Sequence, residues 1–143
     1  MLAVGGSTAW SEQDWSAYAH ALNEQLRPFR VSGAVFITLV FADEYGPNAR
    51  QRSQIAELMR GVTSKTAVLT NSTLPRYLVT AFGWLGFPMR AYSPSAFVEA
   101  AHYLELSRER QELALGAART LGASVGGSHA AALAEEAFTR RAG

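Results

Sequence analysis

Two short polar segments hold the residue types that could do chemistry in this chain. Asp43, Glu44 and Tyr45 follow directly on the apolar run AVFITLVF, and Asn71, Ser72, Thr73 and Arg76 surround the end of the run KTAVLT. Open α/β sheets present their functional loops at the carboxyl ends of strands, which is where both segments fall. Two carboxylates and a phenol suit a loop that contacts a partner or a ligand; ordinary turn chemistry, with carboxylates favoured near a helix N-terminus, explains the same residues. In the second segment, free backbone amides at a helix start, hydroxyls and Arg76 could hold a small anion. Helix capping accounts for each of these residues except Arg76.

Other chemistries find less support. Nucleophilic catalysis needs a base beside Ser72, and His20, His102 and His129 lie on three separate predicted helices. No catalytic residue is assigned, and the chain is read as a non-enzyme. There is no cysteine, and the histidines lack ligand spacing, so neither a metal site nor another cofactor is expected. The GGST of Gly5 to Thr8 has neither the spacing nor the Lys of a phosphate loop. Twelve of the thirteen basic residues are Arg, spread from Arg27 to Arg141, with a net charge of +1, which argues against nucleic acid as a partner.

The elements that must position these loops follow from periodicity. Met1 to Gly5 reads as a first strand. Ser11 with Asp14 resembles a capping box, Trp10 and Trp15 sit at staple positions, and the helix carrying Tyr18, Ala19, Leu22 and Leu26 is expected to end near Pro28. Ala34 to Phe41 is β-branched and aromatic with Thr38 as its polar interruption, the pattern of a strand covered on both faces. Pro47 is placed for the first position of a helix over 49–60, with Ile55, Leu58 and Met59 buried, Gln51 and its charged neighbours in solvent, and Gly61 as its C-cap. Strand 65–70, a helix bearing Tyr77, Leu78, Ala81 and Phe82, strand 88–92 and a helix led by Ser93-Pro94-Ser95 complete the alternation. The spacing Leu113, Ala117, Leu121 predicts the buried stripe of a further helix, and Ser128 caps a last one; both are Ala-rich and need a docking surface to be ordered. The expected architecture is α/β, with a four-stranded, mostly parallel or mixed sheet over 1–106 and two C-terminal helices over 107–143 packed on the domain or on a partner subunit.

The order of these elements, carried by AVFITLVFADEYGPN and KTAVLTNSTLPRYLVTAFGWLGFPMRAYSPSAFVEAAHYL, resembles the STAS fold of anti-sigma-factor antagonists and of the cytoplasmic domains of sulfate transporters. It is closer still to small bacterial proteins with STAS-like or CRAL-TRIO-like, lipid-binding folds, in which GPNARQR and the Thr-Asn-Ser segment recur in kind. The resemblance covers residues 1 to 106. It implies a regulatory, protein-interacting domain or a lipid-binding one. Antagonist STAS domains carry a phosphorylatable Ser or Thr in the loop after the central strand, whereas Ala42 to Asn48 contains neither.

One apolar turn is left over. Trp84, Leu85 and Phe87, in WLGFP, are too apolar for an uncovered surface turn, so the C-terminal helices, a second copy or a partner should cover them. The expectation is therefore a non-enzymatic regulatory or scaffolding domain that self-associates, the alternative being a module that binds a lipid or a small anion. Apolar residues make up 48% and no apolar run approaches the ~20 residues of a bilayer span, so no transmembrane segment is expected. Met1 to Gly6 is too short for a signal-peptide core, and a cytoplasmic location is the expectation.

Overall fold

The computed structural model describes residues 1–5, 10–72, 79, 83 and 87–142. Among the described residues, four strands form one sheet: β1 (Leu2–Val4), β2 (Phe36–Phe41), β3 (Ser64–Leu69) and β4 (Met89–Tyr92). They lie in the order β1-β2-β3-β4, and every pair is parallel. The fold class is thus α/β, with an all-parallel sheet.

That strand order has a consequence for the helices. Right-handed crossovers between consecutive parallel strands throw all the connecting segments onto the same face of a sheet. The second face then needs cover from chain outside the strand-to-strand connections. Helices α1 (Glu12–Ser32) and α2 (Ala49–Leu58) lie on the first face, where Leu22, Leu26, Met59 and Val62 pack around Phe36. The second face is covered by α3 (Phe97–Tyr103), α4 (Arg108–Ser124) and α5 (His129–Ala142). Leu39, Phe41, Ala67 and Leu69 of the sheet share one buried cluster there with Phe97, Leu104, Leu115, Ala118 and Ala134. Phe97 stacks near Phe41 and meets Phe138 edge-on. The C-terminal helices therefore pack on the sheet of their own chain.

Local signals place most helix starts. The Ser11 hydroxyl accepts from the Asp14 amide at 3.1 Å, and the Trp10 and Trp15 rings meet edge-to-face at 5.7 Å, so both cap and staple are formed. The α1 helix does not end near Pro28; it continues to Ser32. Pro28 lies on the exposed face, as does Glu24, whose carbonyl loses its i+4 amide donor on the solvent side, while Phe29 behind it packs edge-on against Phe36. Gly33 ends the helix at φ +69°, donating its amide to the Phe29 carbonyl. Substituting Gly33→Ala is expected to cost about 1 kcal/mol, because a Cβ is strained in that left-handed conformation although nothing crowds it. A urea unfolding midpoint measures this.

Helix α2 departs from expectation at both ends. Pro47 precedes its N-cap, which is Asn48, and Asn48 and Gln51 form a reciprocal capping box. Gln51 is consequently buried instead of facing solvent. The C-cap is Met59, and Gly61 takes a left-handed φ two residues later. Ahead of α3, Ser93 makes no side-chain cap; Pro94–Ala96 forms a 3-10 turn instead. Strand β2 begins at Phe36 and not at Ala34.

The stripe expected to bury α4 faces outward. Leu113 is 66% and Leu121 43% exposed, and Ala117 between them is exposed as well. The buried face is Gln111, Leu115, Ala118 and Gly122, one position round the helix. Gln111 is held there by donating to the Leu106 carbonyl at 2.9 Å, and Gly122 allows close approach to Ser128, which stands 3.3 Å from where a Cβ would be.

Candidate functional site

The loop after β2 divides between the two faces of the sheet. Asp43 turns toward the second face. Its Oδ2 accepts from the His129 amide at 3.0 Å and its Oδ1 from the Ala130 amide at 2.8 Å. Together with the Ser128 hydroxyl, which accepts from the Ala131 amide, it caps α5. The sequence predicts a carboxylate at the N-terminus of the helix that follows, but the helix that Asp43 serves lies 86 residues away. Glu44 is exposed and Tyr45 is 43% exposed.

At the end of β3, Thr70 is fully buried and accepts the Ser72 amide on its hydroxyl at 3.1 Å. Asn71 accepts from the Ser93 hydroxyl at 3.2 Å, tying this loop to the end of β4. Among the described residues, no imidazole or carboxylate is hydrogen-bonded to the Ser72 side chain. Thr73, Arg76, Trp84 and Leu85 lie outside the described residues, as does most of the helix expected to carry them; Val79 and Gly83 of that segment are described and are helical. Phe87 is half-buried and packs on the α1 and α2 side, with Phe36 and Met59, on the face opposite the C-terminal helices.

Between the first face of the sheet and its helices lies a cavity of about 160 Å³. Its floor is the alternate residues of the strands, Phe36, Thr38 and Val40 from β2 and Ser64, Thr66 and Val68 from β3, with Ala3 and Met89 at the two sides. Its roof includes Trp15, Tyr18 and Leu22 of α1, Ile55 of α2, and Val79. Tyr45, Gly46 and Pro47 stand at the carboxyl end, so the first candidate loop reaches the cavity through Tyr45. No described residue in its wall carries a charged side chain.

Aromatic packing holds the roof. Tyr18 lies 5.1 Å from Trp10 and 5.3 Å from Trp15, and the Trp15 indole donates to Gln54 at 2.7 Å, fastening α1 to α2. Burial pushes the Tyr18 phenol from 10 up to about 12. The unfolded phenol ionises from pH 10 while the folded one keeps its proton, so stability is expected to fall between pH 10 and about pH 12. An ultraviolet titration should show a tyrosine ionising near pH 12, and Tyr18→Phe should remove that phase.

A cavity is harder to read from sequence than a loop, because it is defined by side chains that fail to meet. The one signal read in the sequence is Thr38, a hydroxyl inside an apolar strand; Thr66, its register partner, carries no local mark. Comparison with protein-family models, with curated proteins and with solved structures finds no match to this chain.

Proposed function

We propose that this protein is a small-molecule-binding module whose ligand is an apolar molecule of about the size of one ring. The observation that carries this reading is the partly open cavity between the sheet and the helices α1 and α2, whose described walls are mainly aliphatic and aromatic and include no charged side chain. A void of about 150 Å³ with such walls stays dry and takes up benzene in another protein. The resemblance to CRAL-TRIO-like domains agrees in kind, although the volume suits a ring better than a full acyl chain. Native mass spectrometry of freshly purified protein, followed by titration with benzene and phenol, tests it. A copurifying small molecule or saturable uptake of a probe is expected; an empty chain that takes up neither probe overturns it.

A second reading, self-association in a regulatory or scaffolding role, is favoured by the exposed face of α4. Leu113, Ala117 and Leu121 recur every four residues, flanked by Gly116 and Thr120, which are small enough for close helix contact. Sedimentation is then expected to show a dimer that Leu113→Lys dissociates. A strict monomer at tens of micromolar counts against it.

A further inference from the structure

Two hydroxyls on the cavity floor are not explained by apolar binding alone. Thr38 and Thr66 are register partners on the adjacent strands β2 and β3, and each is 8% exposed. Both line the cavity. Neither hydroxyl has a hydrogen-bond partner among the described residues, and neither bonds to the other. No buried side-chain oxygen among the described residues lacks a partner, so these two hydroxyls stand open to the cavity, where valine, of the same shape, would present only methyl groups.

Their placement suggests what satisfies them. Neighbouring strands lie about 4.7–4.9 Å apart, so a single oxygen or nitrogen above the floor can stand within hydrogen-bond distance of both threonine hydroxyls. Ser64, also buried and also on the floor, lies two residues before Thr66 along β3. No charged side chain stands among the described wall residues. The partly buried Met1 ammonium at the wall already donates to the Ile37 carbonyl at 2.7 Å. Neutral ligands therefore suit the described wall best.

Resting on the cavity reading above, we infer that Thr38 and Thr66 form a paired hydroxyl contact that selects neutral, ring-sized ligands bearing one hydroxyl or carbonyl group over plain hydrocarbons. The ring lies against the aromatic roof, and its polar atom sits between the two threonines, accepting from one hydroxyl and accepting from or donating to the other. A phenol, a cyclic alcohol and a cyclic ketone belong to this class; benzene does not.

The test uses the full chain and two probes, benzene and phenol, titrated by NMR against wild type, Thr38→Val, Thr66→Val and the double variant. Removing both hydroxyls is expected to weaken phenol about tenfold while benzene stays within about twofold. Thr66→Ser, which restores a hydroxyl, should keep most of the phenol affinity and guards against a variant that merely misfolds. If phenol binds the double variant as well as wild type while benzene also binds, the hydroxyl contact is overturned and the cavity reading stands. Failure of both probes to bind wild type overturns both readings together.

Discussion

Replacing Asp43 by Ala is expected to lower the stability of this protein by about 2 kcal/mol and to loosen α5 before any other element. The carboxylate accepts two backbone amides at the start of that helix, at 3.0 and 2.8 Å, and both are left unpaired in the variant. Helix α5 is rich in alanine and too short to be stable alone, so its order depends on its cap and on what it packs against. It packs through Ala130, Ala131 and Ala134 into the main core and through Phe138 against Phe97. Loosening it therefore uncovers the second face of the sheet. Hydrogen exchange should show the amides of α5 losing protection first, with those of β2 and β3 following only on global unfolding. Asp43→Asn keeps one acceptor oxygen and should lose about half as much. Glu44→Ala, at an exposed neighbour, should change little. Unchanged protection in α5 after Asp43→Ala would mean that the cap does not hold the helix.

Filling the cavity should have the opposite effect on stability and the largest effect on binding. Val68 projects from the centre of the sheet into the cavity and packs with Ala42 and Val79. Val68→Phe places a ring in the space that the ligand is proposed to occupy. If the cavity is empty in the free protein, the added apolar contacts should raise stability by about 1 kcal/mol, since filling a void recovers dispersion and transfer energy. Probe affinity should fall at least tenfold, because the site no longer has room for a second ring. Thermal unfolding with and without benzene reads both quantities: wild type should be stabilised by the probe and the variant should not. A variant that is both less stable and still shifted by benzene would show that the cavity is not where the probe goes.

The parts of the fold that were legible in the sequence are those set by neighbours along the chain. AVFITLVF reads as a doubly covered strand because its residues are β-branched or aromatic on both alternating positions. Ser11 reads as a cap because the amide it accepts is three residues away. Pro28 misled, since whether a proline ends a helix depends on the exposure of the carbonyl it frees and on the packing of the next turn, here Phe29 on Phe36. The α4 stripe misled for a similar reason. Leu113, Ala117 and Leu121 have the right spacing, but Leu115, Ala118 and Gly122 share it, and only docking against Ser128 and the sheet selects between the two faces.

The candidate site was less legible than the fold. Asp43 was singled out as a loop residue of open purpose, and its purpose lies at His129 and Ala130, which no local pattern connects to it. Thr38 reads as the polar interruption of one strand, and no local pattern singles out Thr66 on the next. Parallel pairing in register makes them neighbours on one floor. The sequence by itself determined the alternation of strands and helices, the short-range caps and the apolar positions of each element, because these depend on contacts within a few residues. Only the tertiary structure decided which face of α4 is buried, which helix Asp43 caps and where a cavity remains, because each depends on segments tens of residues apart meeting across the sheet.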